Sequence, residues 1–316
     1  MGMTDIMKRH GKEGNDMKII ILSGGLGNQL YQYTFMRLIE LGIKEKFIID
    51  DSAFWGENVD HNGYEMEKVF GLKLNLLSNY FTEDVWSEML RLRDLGTSIP
   101  QQLADNGINL TMMAEFKDHP AFNRNIIYMP PNAYSNDVLY AYANTKGNVY
   151  YHGYWVCPPF VEAIKGVLQN ELVFRDMDSV LGLPEINKQY ARRIKETDSV
   201  ALHIRRGDFL QCGRALTPDK YARSVVSMEE RYKGCTYFVF SDDIAWCEEH
   251  KQELGLNVVA GNVVYITGNT GNGFNYVDMQ LMSMCKKMII SNSSFGQWAY
   301  FLNQSAGVEA IIADRM

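Results

Sequence analysis

The sequence is short of cysteine, of positive charge and of long apolar runs, and each shortage narrows what it can be. Cysteine occurs only five times in 316 residues, as Cys157, Cys212, Cys235, Cys247 and Cys285, and never as CxxC. An odd, scattered set builds neither a disulfide framework nor a zinc site and fits a reducing compartment. Lys and Arg number 31 against 38 Asp and Glu, a formal net charge of −7. That deficit argues against sequence-independent nucleic-acid binding, which needs cations to replace counterions, though it leaves room for a local basic pocket. No stretch approaches the roughly 20 apolar residues that span a bilayer. The apolar run at 18–22 is too short for a signal-peptide core and stops at Ser23-Gly24-Gly25. Neither an internal repeat nor a long heptad run occurs, and 12% aromatic residues exclude disorder and collagen.

What is there is globular. Hydrophobic residues make up 46% and charged residues 22%, and the length suits two domains or one large one, long enough to bury sizeable cores. Residues 1–16 are polar and aperiodic and read as a disordered leader or appended remnant, with Met17 the natural start. KIIIL (18–22) reads as a buried strand, the segment from Leu30 to Gly42 as a helix, and FIID (47–50) as a second strand. Such a β-loop-α-β unit favours a parallel sheet. Residues 66–120 read as mostly helical, 121–140 as loop around Pro130-Pro131, and VYYHGYW (149–155) as a strand. In the second half SVALHI (199–204), TYFVF (236–240), NVVYIT (262–267) and KMII (287–290) read as strands with helical segments between. That alternation predicts a second doubly wound α/β domain, with a hinge near Pro184.

The unusual residues gather where these strands end, which is where open α/β sheets bind ligands. SVALHI ends in His203-Ile204-Arg205-Arg206-Gly207-Asp208, TYFVF in Ser241-Asp242-Asp243, and KMII in Ser291-Asn292-Ser293-Ser294. An arginine at a strand end suits bidentate phosphate binding, the reading preferred for Arg205. For Arg206 an ion pair that pins the loop is preferred. His203, on the face of Arg205, is either a core histidine or a ligand contact. Ser293 and Ser294 can cap a helix whose N-terminus attracts anions. Asp242 and Asp243 divide between helix capping and recognition of a nucleobase or ribose, with metal ranked last because no His or Glu stands at ligand spacing. The loop GGLGNQ offers an incomplete dinucleotide fingerprint: Gly25 and Gly27 are present, position 30 is Leu, and Asp50 and Asp51 follow the second strand. Asn28 and Gln29 point amides toward a cleft.

Taken in order, GGLGNQLYQYTF (24–35), GYW (153–155), HIRRGDF (203–209), FSDDIAWC (240–247) and YVDMQLMSMCKKMIISNSSFGQWAYFL (276–302) resemble the bacterial α-1,2-fucosyltransferases of glycosyltransferase family 11. Family members usually carry Met-Phe where Leu30-Tyr31 stands and Ser-Trp-Trp where Gly296-Gln297-Trp298 stands. The resemblance implies an α/β, GT-B-like fold of two facing Rossmann-like domains, the active site in the cleft between them. Residues 17–178 would form the acceptor-side domain and 179–316 the GDP-fucose-binding domain. The activity implied is inverting, metal-independent transfer of L-fucose from GDP-β-L-fucose to the 2-hydroxyl of a terminal β-galactoside, with no cofactor. Arg205 would clamp the diphosphate, His203 would contact the nucleotide, and one of Asp242 and Asp243 would accept from guanine. Ser293, Ser294 and Phe295 would line the phosphate end, while Gly27, Asn28 and Gln29 would face the reacting sugar. Asp208 is a weak candidate base, better suited to holding the Arg205 loop. The partners implied are GDP-fucose and a galactose-terminated oligosaccharide or lipid-linked glycan, without nucleic acid. The place implied is the cytoplasm, at the inner face of the membrane, in surface-polysaccharide synthesis. Two alternatives stand beside this: an NAD-dependent oxidoreductase built on GGLGNQ, and a non-catalytic glycan-binding protein using some of the 18 Tyr and 5 Trp.

Overall fold

The computed structural model describes residues 16–56, 59, 61–129, 145–303, 305 and 307–316. The leader expected at the start lies outside them except for Asp16, as does the Pro130-Pro131 part of the expected loop. The chain forms two compact units, the first ending at Glu171 and the second beginning at Leu172. That break falls upstream of the boundary after residue 178 expected from the sequence.

The first unit is built on one parallel sheet in the order β2-β1-β5-β3-β4, with β1 Lys18–Ile21, β2 Phe47–Asp50, β3 Leu110–Ala114, β4 Asn125–Tyr128 and β5 Asn148–His152. Between β1 and β2 runs α1, Leu26–Ile43, followed later by α2 (Met66–Phe70), α3 (Glu83–Asp94), α4 (Ile99–Asp105), α5 (Pro158–Ala163) and α6 (Lys165–Glu171). β1 and β2 are buried almost throughout, so an unbroken apolar run rather than alternation marks them. The region read as mostly helical contains α2, α3 and α4 but also β3, and β4 follows it. LTMMA has one β-branched residue, and β4 is an edge strand with little buried surface, so neither carries a strand signature of its own.

The second unit repeats the design with the parallel order β10-β9-β6-β7-β8. Its strands are β6 Ser199–Ile204, β7 Thr236–Ser241, β8 Val263–Tyr265, β9 Lys287–Ile290 and β10 Glu309–Ile312, the last unforeseen. Its helices are α7 (Ile186–Glu196), α8 (Gly207–Gln211), α9 (Pro218–Arg231), α10 (Ile244–Glu249), α11 (Asn275–Met282) and α12 (Ser294–Phe301). Val200, Leu202, Ile204, Val239 and Ile289 share one apolar cluster with Tyr221, Val225 and Met228 of α9. Successive strands run outward from β6 through β7 to β8, and from β9 to β10 on the other side. The order therefore reverses between β6 and β9, the switch point at which doubly wound sheets open a crevice. In the first unit the corresponding place is between β1 and β5.

Candidate active site

At the β6/β9 switch point the residues after the two strands are brought together. His203 is buried, its Nδ1 lies 3.0 Å from the Ser291 hydroxyl, and its ring packs 5.9 Å from that of Phe295. A Cβ on Gly296 would stand 2.5 Å from His203 Nδ1, so the first turn of α12 rests directly on the imidazole. Burial, and then the Arg205 charge, push the His203 pKa down to about 3, so the ring is neutral. His203 thus supports α12 from below, as the core reading of this residue expects.

Ser293 caps α12, its hydroxyl accepting from the Phe295 N–H at 3.3 Å. Ser294 and Phe295 are half-buried in the first turn, whose dipole is positive outward. Arg205 leaves the end of β6 and is gripped by two carboxylates, Asp208 at 2.8 Å and Asp242 at 3.0 Å. Its Nε–H is nevertheless buried with no hydrogen-bond partner. So is Oδ1 of Asn292, whose Nδ2 donates to the Arg214 carbonyl at 2.9 Å. An unmet donor and an unmet acceptor at one sheet edge each cost free energy that a bound ligand or an ordered water would return.

The acidic pair is spent on this loop. Asp242 Oδ1 accepts from the Arg206 backbone N–H at 2.9 Å while Oδ2 holds Arg205. Asp243 caps α10 through the Trp246 N–H and pairs with Arg206 Nε at 3.1 Å. The Arg206 guanidinium lies 3.4 Å from the centroid of Trp246, whose indole stacks on His250. The ion pair preferred for Arg206 is therefore present, Asp243 takes the capping role expected of one of the pair, and both aspartates meet arginines. Trp246 was missed, although its place three residues after the capping Asp243 was readable.

In the first unit Gly27 is buried and Asn28 half-buried at the start of α1. Gln29 is placed differently from the sequence expectation. Fully buried, it donates to the Gly24 and Gly63 carbonyls, both at 2.9 Å, and accepts from the Glu65 N–H at 3.1 Å. The amide holds the loop, with both Nε2 hydrogens donated within it. Glu65 itself, which nothing in the sequence singled out, accepts from the Leu26 N–H at the N-terminus of α1, and burial pushes its pKa up to about 7. The place where a dinucleotide pyrophosphate would sit is taken by an internal carboxyl group. Asp50 accepts from the Tyr150 hydroxyl at 2.5 Å and the Ser52 N–H at 2.9 Å. Asp51 accepts from Ser78 N–H and the Trp55 indole. Neither matches the ribose-binding acid of a nicotinamide enzyme. Among the described residues no group of three or more His, Cys, Asp or Glu could hold a metal ion.

Two parallel, doubly wound units in tandem define a GT-B-like α/β protein. Its fold matches a NodZ α-1,6-fucosyltransferase soaked with GDP-fucose at a TM-score of 0.52 and 11% identity, over 91% of this chain and 93% of that one. The family model of glycosyl transferase family 11 matches residues 135–315. The chain belongs to that family, and so to the glycosyltransferases. An α-1,2-colitosyltransferase of Escherichia coli is 34% identical over 170 residues, 52% of this chain and 54% of the relative, so the chain spans about half the length of that protein. The O-antigen biosynthesis glycosyltransferase WbnK of Escherichia coli is 25% identical over 89% of both chains. A galactoside α-(1,2)-fucosyltransferase 2 of Bos taurus is 30% identical over 35% of this chain and 32% of the relative.

Proposed function

We propose that this protein transfers L-fucose from GDP-β-L-fucose, with inversion, to the 2-hydroxyl of a terminal β-galactoside. The observation that carries the reading is the pair of buried, unpartnered groups at the β6/β9 switch point, Arg205 Nε–H and Asn292 Oδ1. The galactoside fucosyltransferase relative and the fold neighbour soaked with GDP-fucose supply the sugar and the nucleotide.

As the sugar–phosphate bond breaks, the fucosyl ring takes on oxocarbenium character and negative charge grows on GDP. Arg205 and the N-terminus of α12 meet that charge, preset by Asp208, Asp242 and the His203 support, so no divalent ion is required. Asp208 is an anchor for Arg205 in this scheme, and the departing phosphate takes the acceptor proton. EDTA is expected to leave turnover nearly intact; complete loss, restored by Mn²⁺ or Mg²⁺, would overturn the metal-independent scheme.

The reading places the enzyme in the cytoplasm, in keeping with five free thiols. No described helix is long and apolar enough to cross a membrane. The acceptor would be a galactose-ended oligosaccharide or lipid-linked glycan. A second donor reading, transfer of a colitosyl group, is favoured by the Escherichia coli relative of that name. Linkage analysis of products from both donors against a panel of β-galactosides decides: a fucosyl α-1,2-galactoside supports the first reading, and turnover confined to the colitosyl donor replaces it.

A further inference from the structure

The carboxyl edge of β3 and β5 holds an arrangement that the donor site does not use. Glu115 directly follows β3 and is buried, and its Oε2 accepts from two consecutive backbone N–H groups, Tyr154 at 2.6 Å and Trp155 at 2.8 Å. A Cβ on Gly153 would meet Glu115 Cβ at 2.5 Å, so glycine is what lets the two edges close. Trp155 takes a left-handed φ of 55°, with its indole fully buried and stacked on Phe35 at 4.1 Å. A bulky side chain in that region stores roughly 1–3 kcal/mol, held only where the surroundings over-determine it. The clamp fixes the residue between them: Tyr154 turns its ring outward, 38% exposed. Phe116, next after Glu115, is equally exposed at 38%, and the two ring centroids stand 6.3 Å apart, tilted by 59°. Alongside, His119 Nε2 lies 3.0 Å from the Tyr128 hydroxyl, a polar margin.

We infer that Phe116 and Tyr154 form a stacking subsite for a galactopyranose ring of the acceptor, with Glu115 as the positioning residue that aims Tyr154. Galactose turns the C–H groups of C3, C4 and C5 to one face, and those weakly positive hydrogens match the negative face of an aromatic ring. The place is right for a ligand, beside the switch point of its sheet, and backbone strain is characteristic of such sites. The inference rests on the reading of the chain as a transferase onto galactosides.

The test uses the full chain. In transfer assays Phe116→Ala and Tyr154→Ala are each expected to raise the acceptor KM about tenfold. The donor KM and the hydrolysis of GDP-fucose without acceptor should not move. Ligand-observed NMR with methyl β-galactoside and no donor is expected to show saturation concentrated on H3, H4 and H5, lost in both variants. Glu115→Ala should mimic Tyr154→Ala, and Glu115→Gln, which can still accept both N–H groups, should restore the acceptor KM. Since both rings are exposed, their truncation leaves the fold intact even where Glu115→Ala does not. Unchanged acceptor KM in both ring variants, or a wild type that does not bind the galactoside, overturns the subsite. Galactoside binding through the rings without transfer from GDP-fucose overturns the transfer reading and leaves the subsite standing.

Discussion

Arg205 shows how a single side chain is prepared for a charge that arrives from outside. Two carboxylates hold its terminal nitrogens while Nε is buried without a partner. Such a fixed donor is worth about 10²–10³ in rate where it meets developing charge. Arg205→Lys keeps the charge but loses the planar fork, so it should behave nearly as badly as Arg205→Ala. Both should abolish most of the transfer and weaken GDP binding by calorimetry while the thermal transition stays cooperative. Wild-type turnover in either would refute the role. Gly296 presents the same lesson in steric form. With His203 Nδ1 only 2.5 Å from where an added Cβ would stand, Gly296→Ala must push the imidazole or lift the first turn of α12. A loss of roughly 1–3 kcal/mol is expected, as for overpacked cores, with weaker GDP binding from the displaced helix start. Denaturant melts and GDP titrations of that variant check both halves. That Arg205 stands at a strand end, where α/β sheets collect ligand contacts, was readable from its place after SVALHI. That His203 packs inward was one of the two readings its strand position allowed; what it supports was not readable, since that depends on Gly296, more than ninety residues away in sequence.

At the scale of elements, one polar cluster, buried at Asn187 and Asn269 and half-buried at Asp278, ties α7, the loop after β8 and α11 together. Asn187 and Asn269 exchange amide hydrogen bonds at 2.8 and 2.9 Å, and Asn269 donates to Asp278 at 2.6 Å. Burial pushes the Asp278 pKa up to about 7. A carboxyl whose pKa is higher folded than unfolded stabilises the protein most at low pH. The contribution is lost as pH rises from about 4, the unfolded value, to about 7, and is flat beyond. Asp278→Asn removes the ionisation and keeps an oxygen for Asn269. The variant should therefore match the wild type near pH 4 and become more stable than it by roughly 2–4 kcal/mol at neutral pH. Thermal melts across that range give the difference curve, and a gap that is constant with pH would sink the argument. The elements themselves differ in how far the sequence revealed them. β6, β7 and β9 are β-branched or aromatic runs bounded by clear turns and were found nearly to the residue. β3 relies on Leu and Met, which suit a helix equally, and its strand state comes from pairing with β4 and β5, a long-range choice that local patterns do not encode.

On the scale of the whole molecule, two parallel sheets follow one design, and the proposed scheme divides the chemistry between them. Each has its candidate site beside its own reversal of strand order. The loop GGLGNQ looks from its glycines like a second nucleotide site, yet an internal carboxyl group already meets the N-terminus of α1, and Gln29 is consumed in the loop. Sequence supplied the glycines but not Glu65, which chain topology returns from 39 residues beyond Leu26. The division predicts which measurements each unit controls. In the proposed scheme GDP recognition falls to the unit beginning at Leu172, so Arg205→Ala should remove the thermal shift produced by GDP, and Tyr154→Ala should leave it at the wild-type value. Conversely, NAD should shift neither the wild type nor Glu65→Gln, because the backbone N–H at the start of α1 remains bonded in both. A GDP shift that survives Arg205→Ala but disappears in Tyr154→Ala would reverse the assignment of donor and acceptor to the two units.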